Sequence, residues 1–150
     1  VCSPDPPTVD PADPYRLSDG EASLMASLVG AFRRSPALRR HIEFLYTCGS
    51  LYRVCNGNLL FHGCIPLCAD GSFDTVRTFD GQSLAGRAYM DFCDRTARAA
   101  FYDGGQNELD FMYYLWCGRQ SPLFGRSRKT TFERYFVSDC SAWEEVKNPY

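Results

Sequence analysis

The stretch Asn58-Leu59-Leu60-Phe61-His62-Gly63-Cys64-Ile65-Pro66-Leu67 reads as a short apolar strand that ends on a histidine and then breaks on glycine and proline. Just upstream, Leu51 to Cys55 has the same strand-forming character, and the two runs meet at Asn56-Gly57. That dipeptide favours a tight primed turn, so an antiparallel hairpin is expected with His62 at its mouth. In open α/β sheets ligands gather beyond the strand ends, where a glycine such as Gly63 frees the backbone and an imidazole projects into a crevice. A hydrogen-bonded structural histidine would occupy the same place, so on placement alone His62 is open to both roles.

Outward from the hairpin the pattern turns helical. Ser18 followed by Glu21 is a capping-box pair, and Leu24, Leu28 and Phe32 recur at helical spacing, which predicts a helix to about Ser35. Pro36 suits a first turn, and Leu38, Ile42 and Leu45 carry a second helix to Gly49. Downstream, a turn at Ala69-Asp70-Gly71 precedes a strand from Phe73 to Phe79 and a further turn at Asp80-Gly81. Leu84 to Tyr102 reads as a helix with Met90, Cys93, Ala97 and Phe101 on one face, broken by Gly104-Gly105. Asn107 then caps a short aromatic helix through Trp116, whose rings suit helix packing. Gly118 to Thr131 reads as an ordered loop, followed by a helical turn from Thr131 to Phe136. The opening holds five prolines and three aspartates between Val1 and Tyr15, so residues 1–17 read as an extended linker and 18–150 as one partial domain.

At 150 residues and 45% hydrophobic content the chain has material for one core. A net charge of −2 without long basic runs argues against nucleic acid, and no apolar run is long enough for a bilayer. The eight cysteines sit mostly in apolar stretches such as those ending at Cys55 and Cys117, which favours free thiols and a cytoplasmic setting over a disulfide framework. No Cys-x-x-Cys pair, phosphate-cradling glycine loop or nucleophile elbow is present. Of the two histidines His41 lies mid-helix, so histidines alone cannot complete a metal site. The Gly118 to Thr131 loop carries donors suited to phosphate, among them Arg119, Arg126 and Lys129, although a solvated basic loop has the same composition.

These residues carry a resemblance. Pro7 to Tyr15, the hairpin through Leu67, Leu115-Trp116-Cys117-Gly118, Ser121-Pro122-Leu123-Phe124-Gly125, Thr130 to Phe136 and Lys147-Asn148-Pro149-Tyr150 resemble the class III fructose-1,6-bisphosphatases of bacteria. These are calcineurin-like metallophosphatases. The resemblance implies a mixed α/β fold, a β-sandwich flanked by helices, and hydrolysis of fructose 1,6-bisphosphate to fructose 6-phosphate and phosphate in gluconeogenesis. It implies a dinuclear divalent metal centre, taken as manganese, whose ligands come from several strand-end motifs. Only one of those motifs is present, His62-Gly63. The chain therefore resembles a middle-to-late fragment that is inactive alone, with His62 as one metal ligand.

In the wider superfamily glycine commonly follows that His-Gly, whereas here it is Cys64, a mark of the subclass rather than of thiol catalysis. Arg119, Arg126, Lys129 and Arg134 are the implied substrate-binding residues. The implied partner is a small sugar bisphosphate, with neither nucleic acid nor membrane, and a homo-oligomer is compatible. Two other expectations stand beside this one: a non-catalytic sugar-phosphate-binding or regulatory module, and a related metallophosphatase with another phosphoester substrate.

Overall fold

Ser18 opens helix α1, Asp19–Arg34, in the computed structural model, which describes residues 9, 10, 12, 13, 15–126, 128–131 and 137–143. The Ser18 hydroxyl accepts from the Glu21 N–H while the Glu21 carboxylate takes the Ser18 N–H at 2.8 Å, closing the expected capping box. Ser35 ends α1 and caps α2, Pro36–Cys48, by accepting from the Leu38 N–H at 3.2 Å. Leu24, Leu28 and Phe32 share one face of α1 but stay exposed, so the stripe has no cover among the described residues.

The hairpin forms as its turn dictates. Strands β1, Tyr52–Cys55, and β2, Asn58–Phe61, pair antiparallel with Tyr52 opposite Phe61 and Arg53 opposite Leu60. Asn56 and Gly57 both have positive φ, 50° and 75°, the geometry of a type I′ turn. His62 is the first residue beyond β2.

The strand expected from Phe73 to Phe79 contracts to β3, Val76–Arg77, which pairs with β4, Ser83–Leu84, while Phe73 makes only a lone bridge to Leu67. A turn network displaces it. The Asp80 carboxylate accepts from the Thr78 hydroxyl and the Gln82 amide, and the Thr78 N–H donates to the Gln82 carbonyl, drawing this backbone into the Asp80-Gly81 turn. Leu84 consequently belongs to β4, and helix α3 begins two residues later, Gly86–Tyr102. Helix α4, Gln106–Cys117, starts on Gly105, whose carbonyl takes the first helical N–H from Leu109, so Asn107 lies inside the first turn instead of capping it.

The described chain is thus mixed, four α-helices with two separate two-stranded antiparallel sheets. Its core lies between α3 and α4, where Tyr89, Phe92, Cys93 and Ala97 meet Leu115 and Val76. Met90, Cys93 and Ala97 are buried on one face as the spacing predicts. Phe101 continues that face half-buried and stacks on Tyr46 of α2, ring centroids 4.6 Å apart. In α4, Phe111 packs edge-on to Phe92 at 5.5 Å, whereas Tyr113 and Trp116 face outward.

The seven described cysteines are free thiols. Only Cys64 and Cys93 are buried; Cys55, expected among apolar neighbours, is exposed because it sits beside the hairpin turn, and Cys117 is half-buried at the end of α4. Among the described residues no helix is long and apolar enough to cross a membrane. Cys2, most of the proline-rich opening, and residues 132–136 of the expected helical turn lie outside the described residues.

Two expected outcomes test this core. Leu115→Ala removes a side chain only 1% exposed and should lower unfolding free energy by about 2–5 kcal/mol in a urea titration. Burial also pushes the Cys93 thiol up from 9.0 to about 12 and drives the Tyr89 hydroxyl upward. Both groups stay protonated when folded and ionise sooner when unfolded. The Cys93 contribution to stability is therefore full below pH 9.0 and is lost as pH rises toward about 12, while the Tyr89 contribution begins to fall only above pH 10.0. The urea midpoint should fall between about pH 8 and about pH 10.5, and less steeply in Cys93→Ala.

Candidate functional site

Two carboxylates on one face of α3 hold the start of the hairpin. Asp94 accepts the Leu51 N–H at 3.3 Å and the Arg98 Nε–H at 2.7 Å, and Arg98 also donates to the Gly49 carbonyl at 2.7 Å. The Tyr52 hydroxyl donates to Asp91 at 2.7 Å, and that bond holds its pKa above the usual phenol value. Asp91 also faces Arg87, at 3.5 Å. The junction of α2 and β1 is therefore fixed to α3 by charge-assisted hydrogen bonds.

The other end of the hairpin is held from the opposite side of the sequence. The Cys64 N–H donates to the Pro122 carbonyl at 3.1 Å, and the Cys64 thiol donates to the Ser121 carbonyl at 3.4 Å, with both Cys64 and Ser121 fully buried. Ser121 is itself pinned: its hydroxyl donates to the Leu115 carbonyl in the last turn of α4 and accepts the Leu123 N–H at 3.1 Å. The backbones touch at Gly63, where an added Cβ would lie 2.3 Å from the Pro122 oxygen and 2.9 Å from the Leu123 carbonyl carbon. Glycine is required there for close approach. The clamp sets the backbone immediately after His62.

His62 is exposed and borders a shallow cleft of about 330 Å³ lined by residues 48–53 and 60–62. Arg53 and Leu60 border this cleft; a wider cleft of about 900 Å³, bordered by Tyr52, Arg53, Val54 and Leu59, lies between the hairpin and α3. Of the basic residues expected to bind substrate, Arg126 follows Gly125, whose missing Cβ would pack 3.4 Å from the Cys64 Cβ, so the clamp brings it near the His62 turn. Lys129 Nζ sits 3.0 Å from the centroid of the Trp116 ring, a cation–π contact. Arg119 is exposed just past the end of α4, and Arg134 lies outside the described residues. None of Arg119, Arg126 and Lys129 lines the His62 cleft. Among the described residues no group of three or more His, Cys, Asp and Glu side chains is placed to hold a metal, so they offer the single imidazole of His62 rather than a complete site.

The clamp lies within a stretch matched by a family profile: the profile described as Firmicute fructose-1,6-bisphosphatase matches residues 3–150. The chain belongs to the Firmicute fructose-1,6-bisphosphatase family. Similar proteins are the class 3 fructose-1,6-bisphosphatases of Clostridium tetani and Clostridium novyi, each 48% identical over 149 residues, and those of Clostridium botulinum strains at 47–48%. Each alignment covers 96% of this chain, and the chain spans 22% of the length of these relatives. No solved structure matches it.

Within this Firmicute fructose-1,6-bisphosphatase segment, sequence reasoning missed the roles of Ser121 and Pro122 and did not single out Arg53. Register supplies a signal for the last: an Asn56-Gly57 two-residue turn already places Arg53 opposite Leu60, two residues before His62. For the clamp, Gly63→Ala should cost about 1–3 kcal/mol, because backbone atoms must move to admit the methyl group. Ser121→Ala should cost a similar amount, about 1–3 kcal/mol, by stranding the Leu115 carbonyl and the Leu123 N–H. Gly20→Ala in α1, where nothing lies within 4 Å, should instead stabilise by about 0.5–1 kcal/mol. Denaturant unfolding of the three variants separates close packing at Gly63 from a general intolerance of added methyl groups.

Proposed function

We propose that the full-length protein carrying this segment is a fructose-1,6-bisphosphatase, a metal-dependent phosphomonoesterase that converts fructose 1,6-bisphosphate to fructose 6-phosphate and phosphate in gluconeogenesis. One observation carries this: the 48% identity over 96% of the chain to proteins named class 3 fructose-1,6-bisphosphatase. In this reading residues 18–150 are part of a larger calcineurin-like metallophosphatase domain, a β-sandwich flanked by helices, and residues 1–17 lead into it. The protein is cytoplasmic, and its site takes a small sugar bisphosphate.

His62 supplies one neutral imidazole to a divalent metal centre, read as dinuclear manganese, with the remaining ligands outside these 150 residues. When bound, the metal supplies Lewis-acid polarisation of the phosphoryl oxygens. The chain's own residues do the positioning. Asp91 and Asp94 fix the hairpin to α3, and the Ser121 and Pro122 carbonyls fix the turn after His62, so the imidazole projects from a backbone held at both ends. Arg119, Arg126, Lys129 and Arg134 belong to the basic stretch assigned to the substrate. Arg126 is supported by its place beside the clamp, and Lys129 would have to leave the Trp116 ring to reach a phosphate.

In the full-length protein His62→Ala should lower turnover of fructose 1,6-bisphosphate about a hundredfold or more and reduce bound manganese, read by elemental analysis. Near-normal turnover and full metal content would remove His62 from the centre. Two manganese ions and turnover in the isolated 150 residues would overturn the division of the site between this segment and the rest of the protein.

A further inference from the structure

Near the end of the hairpin that carries His62, one cationic side chain stands out by register. Arg53 pairs with Leu60, the residue two before His62, which stands in the bend just past β2. Arg53 and His62 border the same shallow cleft, and Arg53 is the only Lys or Arg among its described lining residues.

Charge singles it out as well. Asp91 and Asp94 line the wider cleft that Arg53 also borders, but they are engaged by Tyr52, Arg87, Arg98 and the Leu51 N–H, with no ion pair to Arg53. No side-chain hydrogen bond or ion pair joins the Arg53 guanidinium to another described residue. Leu51 and Leu60 give the cleft an apolar lining, along which the methylene stem can lie while the guanidinium reaches outward.

We propose that Arg53 holds the reacting phosphoryl group of the substrate, gripping two of its non-bridging oxygens beside the metal bound by His62. The proposal rests on the fructose-1,6-bisphosphatase reading and adds to it a residue outside the basic loop. In the hydrolysis, a bond forms from water oxygen to phosphorus and the bond from phosphorus to the sugar oxygen breaks. One water proton ends on the sugar alcohol, and phosphate leaves with the other. Arg53 exchanges no atom in this step. Its planar fork matches a pair of phosphoryl oxygens and neutralises charge that spreads over them as the bond breaks.

The test uses Arg53→Met, which keeps most of the stem, and Arg53→Lys, which keeps a charge without the fork, in the full-length manganese-loaded protein. Inorganic phosphate is the probe, through its inhibition constant against fructose 1,6-bisphosphate hydrolysis. Arg53→Met should weaken phosphate inhibition about tenfold or more and lower kcat/KM by a similar factor, with manganese content unchanged. Arg53→Lys should recover part of the phosphate affinity. Both variants holding the phosphate constant and kcat/KM within about twofold of the parent, with metal retained, would overturn the proposal and leave the enzyme assignment standing. If the parent protein binds phosphate but does not hydrolyse the bisphosphate, the enzyme assignment falls. Calorimetric phosphate binding by the parent and Arg53→Met then decides the role of Arg53: a loss of about tenfold supports it, and equal affinity overturns it.

Discussion

The contact between the Gly63 backbone and the Pro122 carbonyl is the constraint around which the other elements are arranged. A closer approach is sterically unavailable, and a side chain at position 63 would forbid this one. Around it, Cys64 gives its N–H and its thiol to two successive carbonyls of a turn that is itself fastened to the end of α4 by Ser121. Helix α4 packs on α3 through Leu115, and α3 returns to the hairpin through Asp91 and Asp94. The hairpin, α3, α4 and the 118–125 turn thus form a closed mechanical circuit, with His62 carried at the one point where strand becomes clamp. The buried hydrogen bonds of Cys64 and Ser121 in that circuit are each worth about 1 kcal/mol when made and more when broken, because their partners have no water to turn to.

What was legible in the sequence was local. Ser18 with Glu21, Pro36 after Ser35, and Asn56-Gly57 each encode an element within a few residues, and each element stands where its signal lies. The apolar face of α3 was legible for the same reason, since Met90, Cys93 and Ala97 declare their side by spacing alone. Misplaced elements are those where a local signal met a stronger neighbour. The β-forming run from Phe73 to Phe79 lost its C-terminal end to the Asp80 turn network, and Asn107 lost the cap to Gly105. For the site, His62 and the loop of Ser121 to Gly125 were both visible as motifs. That they touch was not, because a contact across 57 residues leaves no periodicity to read.

Helix α1 shows the other side of that limit. Its capping and length are well determined by sequence, yet its apolar stripe of Leu24, Leu28 and Phe32 remains open to solvent. The hairpin residues Val54, Leu59 and Leu60 are exposed as well. Amphipathicity announces that a face wants cover without saying what provides it. A chain spanning 22% of the length of its relatives leaves most of their polypeptide outside the frame.

The clamp also bears on the order in which the segment assembles. The hairpin closes across two turn residues, a microsecond-scale event that needs nothing else in place. The bond from Cys64 to Ser121 closes a loop of 57 residues, whose ends must be brought together before any contact rewards them. His62 therefore sits at the end of a strand that can exist early but acquires a fixed backbone only when α3 and α4 have packed and delivered Ser121 and Pro122. Maturation of the histidine's setting is, in this sense, a late and non-local event imposed on an early and local one.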